Sequence, residues 1–296
     1  MRNALLIYNP QAGGNRLNPP DSILTHLESG KIRAQTFILE GLGDEQRLLN
    51  ALTGSRFDLA VISGGDGTIN FVANILLKNH LQLPIGIIPS GTSNDLARNL
   101  KIPPNYKKAV DLIAAGKTCL IDVGLINKRT YFLSSCAGGL FTDVSYQTEG
   151  ELKRSIGPLA YYLKGVQELS RINPFRLTVK TKSTTIEEEV LLFFILNGPH
   201  VAGLTDLVKE AKPNDGWLRL VMIKNCDPIG LTGIFLNILG RFSLKNNNKV
   251  RIETASEFEL SSDREIVLSI DGEKSGTLPA ALTVATRKLT VFSALK

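Results

Sequence analysis

The chain has 296 residues, 43% of them hydrophobic and 21% charged, a length that suits two domains with buried cores. A net charge of +6 favours anionic partners, yet only 6% of residues are aromatic and no basic tract interleaves them, which argues against nucleic-acid binding. No apolar run reaches membrane-span length, and the start "MRNALLIYNP" has no cleavage site, so a cytoplasmic protein is expected. Three scattered cysteines (Cys119, Cys136, Cys226) form neither a disulfide framework nor a zinc spacing and read as buried inert thiols. No Ser/His/Asp nucleophile system is visible among the three histidines.

The first 120 or so residues alternate strand and helix. "ALLIYN" predicts a buried strand, and "DSILTHLES" a helix with an Asp cap. "RAQTFIL" is a second strand, and "GDEQRLLNAL" a helix with acids in its first turn. "FDLAVIS" and "INFVANILLKN" follow as strand and helix, then "PIGIIPS" and "SNDLARNL". Strands this apolar imply a parallel sheet covered on both faces, a three-layer α/β domain. From Asp122 onward the pattern changes to short β-rich runs, among them "FRLTVKT", "IEEEVLLFFILN", "WLRLVMI", "EFELSS" and "LTVATRKLTVFS". They predict a β-sandwich or barrel with two helices, "GELKRSIGPLAYYLKGVQEL" and "DPIGLTGIFLNILG". The expected division is residues 1–122 and 123–284, with the end of the chain, about 285–296, returning to the first domain.

Ligands of parallel sheets bind at the carboxyl ends of strands. Three Gly-rich turns fall there: "NPQAGG" (9–14), "SGGDGT" (63–68) and "PSGTSND" (89–95). Gly64, Gly65 and Gly67 would allow positive φ and let phosphate oxygens approach backbone amides, with a helix N-terminus behind them. An acid beside phosphate is repelled unless a cation intervenes, so Asp66 implies Mg²⁺. An isolated "GGDG" equally fits a tight turn with an Asx cap. In the third turn Gly91 and Thr92 offer donors, Asn94 and Asp95 fit a helix cap, and Arg98 fits either a phosphate clamp or a solvated face. "AAGKT" (114–118) is no Walker loop: its first glycine position holds Asp111, and Gly116 reads as a helix C-cap.

"GGDGT" followed by "GTSNDLAR" resembles the diacylglycerol kinase catalytic-domain family, with its sphingosine and ceramide kinases. "GGDGT" alone is shared with NAD kinases and, loosely, phosphofructokinases. The resemblance continues through "AGGLFTDVSYQTEGELKRSIGPLAYYLKG", "LLFFILNG", "AKPNDGWLRL" and "LSIDGE", across essentially the whole chain, and is strongest to the soluble enzymes of Gram-positive bacteria. It implies a nucleotide-binding domain like that of NAD kinase or phosphofructokinase, a C-terminal β-sandwich, ATP and Mg²⁺ as cofactors, a lipid substrate at the membrane surface, and a homodimer.

Carried over by position, Asn9, Pro10, Gly13 and Gly14 would line the first loop, and Gly64, Gly65, Asp66, Gly67, Thr68, Ile69 and Asn70 would hold the triphosphate with Thr92 and Arg98. A lysine that similar enzymes place after the first loop is absent, so Arg16 would substitute, and a threonine common before "E-x-x-G-D" is Leu39 here. Asp66, Asp95 and Asp122 would organise the catalytic metal through waters. Glu273 matches the general base and Lys164 a cleft cation. From the residues alone, "DGE" is a hairpin turn and Lys164 a snorkelling helix lysine. "AKPNDGWLRL" resembles a loop that binds a second Mg²⁺ through the Asp215 carboxylate and carbonyl oxygens of Lys212 and Trp217; a plain Pro-Asn-Asp-Gly turn fits it too. The acceptor could equally be phosphatidylglycerol, undecaprenol or a sphingoid base. An NAD kinase-like enzyme and a non-catalytic sensor are the remaining alternatives.

Overall fold

The computed structural model describes residues 1–139, 173–201, 203–204, 206–240, 242–245 and 247–295. The helix expected over 150–169, and Lys164 with it, lies outside them. The chain divides into two compact units, Met1–Asp122 with Thr286–Lys296, and Val123–Ala285.

The first unit is built on a parallel sheet. Strands β1 (Arg2–Tyr8), β2 (Ile32–Ile38), β3 (Leu59–Gly64) and β4 (Ile85–Pro89) stand in the order β2-β1-β3-β4, all parallel. Every residue of β3 is buried, as a strand covered on both faces requires. Helices α1 (Pro20–Ser29) and α5 (Tyr106–Ala114) pack against β2, β4 and each other, and α3 (Asp66–Lys78) packs against β3. Helices α2 (Asp44–Gly54) and α4 (Asp95–Asn99) complete the alternation. Gly116 adopts φ +79° just beyond α5, where its amide bonds the Ile113 carbonyl, the expected C-terminal stop. The Asp cap expected on α1 is absent: Pro19 is the N-cap, and Asp21 lies inside the first turn, where it complements the helix dipole.

The second unit is an antiparallel sandwich. Strand β5 (Thr118–Ile126) leads into it, followed by β6 (Thr130–Phe132), β7 (Ser135–Gly139), β8 (Phe175–Lys180), β9 (Thr185–Leu196), β10 (Leu218–Lys224), β11 (Val250–Ala255), β12 (Glu257–Ser262), β13 (Val267–Ile270) and β14 (Glu273–Thr277). The last strand, β15 (Ala280–Phe292), pairs with β12 here and reaches β4 of the first unit's sheet at Val291. Strand β9 explains the unbroken apolar run "VLLFFIL". Val190, Phe193 and Ile195 enter one core with Phe132, Phe175 and Phe258; Leu192, Phe194 and Leu196 enter a second core beneath helix α6 (Pro228–Leu239). A register shift against β10 accommodates Leu191 where the alternation slips. Phe175 and Phe193 meet edge-on at 6.4 Å. The Asp227 carboxylate accepts from the Gly230 amide and caps α6, whose Leu231, Ile234, Phe235 and Ile238 fill the second core. Among the described residues no helix is long and apolar enough to cross a membrane. Cys136 is buried, Cys119 and Cys226 half-buried, and burial pushes all three thiols above their usual range.

Candidate active site

The chain leaves β1 toward β2 on one side and returns to β3 on the other, so a crevice opens between the carboxyl ends of β1 and β3. The loops after β1, β3 and β4 meet there. The Asn9 amide donates to the Ser63 carbonyl at 3.0 Å, and its side-chain Nδ2 to Thr68 Oγ1 at 2.8 Å. Gly14 N–H donates to the Ser90 carbonyl, and Ser90 N–H to that of Gly64, both at 2.9 Å. Beneath them lies a buried polar knot. Ser63 Oγ donates to Asn15 Oδ1 at 2.7 Å and lies 3.2 Å from Ser90 Oγ, while Asn15 Nδ2 donates to the carbonyls of Asn9 and Ser63. Asn15, Ser63 and Ser90 went unrecognised in the sequence, which offers no signal for a buried Asn or Ser inside a glycine turn.

The glycines do not adopt the backbone conformation expected of them. None of Gly64, Gly65 and Gly67 has a positive φ. Gly64 and Gly65 are there for close approach. A Cβ on Gly91 would lie 2.5 Å from the Gly65 Cα, one on Gly64 2.5 Å from the Thr68 Cβ, and one on Gly14 3.1 Å from the Ser90 Cα. Gly13 has open space before it and is exposed, as are Pro10 and Arg16. Gly65 is the N-cap of helix α3 and supplies no side-chain cap bond, which leaves the first turn available to an anion. Asn70 lies in the first turns of α3, half-buried. Ile69, by contrast, is fully buried, and its amide bonds the Gly65 carbonyl in the first turn of the helix itself.

Asp66 Oδ1 accepts from the Leu96 amide at 3.1 Å and so ties the second loop to α4. The capping role expected of Asn94 and Asp95 therefore falls to Asp66. Asn94 has φ +50° and makes no cap bond; its side chain braces the loop through the amide and carbonyl of Gly91. Burial pushes the Asp66 carboxyl above the usual carboxylate range, partly offset by amides of Leu96, Asp95 and Asn94. Asp95 is buried, whereas Thr92 and Arg98 are exposed. Asp122, fully buried on β5, accepts from the Arg287 amide at 2.8 Å, where β15 passes through φ +51°. Among the described residues no three His, Cys, Asp or Glu side chains gather into a metal cluster, so Asp66, Asp95 and Asp122 do not form a direct three-carboxylate site.

In the second unit, Glu273 opens β14 across a two-residue hairpin. Asp271 and Gly272, at φ +46° and +94°, carry the positive φ pair of a type I′ turn. Asp271 is also an anchor: its carboxylate accepts from the amides of Leu133 (2.7 Å), Ser134 (2.8 Å) and Ser135 (2.8 Å). The turn that presents the exposed Glu273 is thereby fastened to the β6–β7 connection. In the loop before β10, both oxygens of Asp215 are taken by Arg219, at 2.7 and 2.6 Å, and by the amides of Lys212 and Trp217.

Residues 3–126 match the diacylglycerol kinase catalytic domain, and residues 138–293 the YegS C-terminal NAD kinase beta sandwich-like domain. The diacylglycerol kinase of Staphylococcus aureus strain MRSA252 is 33% identical over 294 residues, covering 99% of this chain and 92% of that protein. The diacylglycerol kinase of Staphylococcus aureus strain Newman matches to the same extent. A crystal structure of a diacylglycerol kinase from Bacillus anthracis str. Sterne shares the fold, with a TM-score of 0.77 at 22% identity over 99% of this chain and 97% of that one. Identity at 33% of positions, sustained through both units, is a likeness of descent: the chain belongs to the diacylglycerol kinase catalytic-domain family.

Proposed function

We propose that the protein transfers the terminal phosphoryl group of ATP to the free hydroxyl of a diacylglycerol, giving ADP and phosphatidic acid. The observation that carries this reading is the set of three braced loops beside the uncapped N-terminus of α3. In it the nucleotide is held by the first unit: loop amides and the α3 first turn face the triphosphate, with Gly13 leaving open space and Arg16, Thr92 and Arg98 exposed nearby in sequence. Mg²⁺, when bound, neutralises charge that develops on the phosphate oxygens. The partly buried Asp66 fits a magnesium ion that keeps most of its waters and needs only one or two carboxylates, with Asp95 and Asp122 as outer partners.

Glu273 is assigned as the base on the family resemblance. Its carboxylate takes the lipid hydroxyl proton as the oxygen bonds phosphorus and the β–γ bridging bond breaks, the electron pair leaving on ADP. Asp271 fastens the turn that carries it. A kinase of a bilayer lipid must also reach a membrane. The net charge of +6 favours an anionic leaflet, and α6 carries Ile229 (81% exposed) and Leu236 (59%) on one stripe, with Phe242 (66%) exposed just beyond its end. A homodimer rests on the family resemblance.

The test is label transfer from ATP to dioleoylglycerol in mixed micelles, run beside phosphatidylglycerol, undecaprenol and a sphingoid base. Label in phosphatidic acid alone is expected; label in another lipid reassigns the acceptor, and none in any lipid ends the reading. Glu273→Gln should abolish transfer while ATP still binds.

A further inference from the structure

The segment "KPNDGW" (212–217), just before β10, forms a small oxygen cage: the Asp215 carboxylate, with the chain turning at Gly216 (φ +79°) toward the Trp217 carbonyl. Family resemblance makes this a seat for a second Mg²⁺. The seat is already filled. Arg219, two residues further on and only 10% exposed, sends Nη1 to Asp215 Oδ1 at 2.7 Å and Nη2 to Oδ2 at 2.6 Å. Nη1 also donates to the Trp217 carbonyl at 2.9 Å. The remaining donors on the carboxylate are backbone amides, from Lys212 and Trp217, both at 3.1 Å.

A divalent cation and this guanidinium compete for the same lone pairs. Mg²⁺ demands oxygens at about 2.0–2.1 Å in near-octahedral array. A planar fork bonded to both carboxylate oxygens and to one of the carbonyls leaves no such array, and its fixed positive charge repels a second cation. The position of Arg219 at the start of β10, paired with Leu196 on β9 and Thr254 on β11, fixes the backbone from which the fork is delivered. We propose that Arg219 is a built-in substitute for the second metal ion: the 212–217 loop is held by a covalently attached cation, and this unit folds without any divalent metal.

The experiment is thermal melting of the full chain without nucleotide, in EDTA and over a Mg²⁺ series, for wild type, Asp215→Asn, Arg219→Ser and Arg219→Ser/Asp215→Asn. The quantity read is the difference in Mg²⁺ response between each chain and its Asp215→Asn counterpart, which cancels any contribution from the nucleotide loops. For wild type no difference is expected. Arg219→Ser, with the fork removed and the oxygens freed, should melt lower in EDTA and regain Tm as Mg²⁺ rises, as linkage requires of a cation that binds only the folded state. The double variant should lose that gain. A wild-type Mg²⁺ response that disappears in Asp215→Asn would show that metal displaces Arg219 and overturn the proposal. So would an Arg219→Ser chain that folds and gains no Mg²⁺ response. If Arg219→Ser does not fold, the wild-type and Asp215→Asn pair still decides whether this loop takes metal.

Discussion

The Asp66 carboxylate has a structural bond and a chemical assignment, and substitution separates them. Its Oδ1 accepts the Leu96 amide, so Asp66→Ala leaves that donor without its partner and should lower stability by about 1 kcal/mol. Asp66→Asn keeps the acceptor. Burial raises the carboxyl's folded pKa, so the folded chain holds its proton to higher pH than the unfolded chain. The metal-free protein is then most stable with respect to this group below the ordinary carboxylate pKa of about 3.9, and loses stability as pH rises toward the raised value. Asparagine carries no ionisation penalty. Asp66→Asn should therefore melt at or above wild type at neutral pH, yet transfer no label from ATP. An Asp66→Asn chain that keeps near-normal turnover would remove Asp66 from the chemistry and leave it as a cap.

The elements were legible wherever periodicity or glycine punctuation decided them. The apolar runs of β1, β3 and β4 announced a parallel sheet covered on both faces, and the three glycine turns announced one sheet edge. What stayed hidden was partner choice. The cap of α4 comes from Asp66, on a different loop, and neighbouring Asn94 and Asp95 gave no hint of that. The glycine loops hid their reason too, since a residue needed for close approach and one needed for positive φ are written with the same letter. Two variants test these element contacts. Gly91→Ala places a methyl 2.5 Å from the Gly65 Cα, an overpacking worth about 1–3 kcal/mol, and should raise KM for ATP as the two loops part. Asp271→Asn turns an amide group toward backbone N–H donors of residues 133–135. The unsatisfied donors should cost about 1–3 kcal/mol and lower kcat with KM for ATP little changed. A normal kcat in Asp271→Asn would separate the anchored turn from the chemistry of Glu273.

At the scale of the whole molecule, the proposed substrate lives in a bilayer while among the described residues no helix is fit to span one. Two forces are available to bring the chain to a membrane. The net charge of +6 acts at a distance and is screened within about 8 Å at physiological salt. The exposed side chains of Ile229, Leu236 and Phe242 act only on contact and are indifferent to salt. Helix α6 can lose this outer stripe without losing its packing, because the buried stripe of Leu231, Ile234, Phe235 and Ile238 is separate. Replacing Ile229, Leu236 and Phe242 by serine should therefore leave the melting temperature and transfer to a short-chain, water-soluble diacylglycerol unchanged. Burial of one such side chain is worth about 1.5–3 kcal/mol, so losing three should weaken sedimentation with anionic phospholipid vesicles at least ~tenfold. The residual binding should vanish on raising salt, where wild-type binding should only weaken. Vesicle binding that is unchanged in the triple variant would move the membrane contact away from α6 and leave charge alone to explain it.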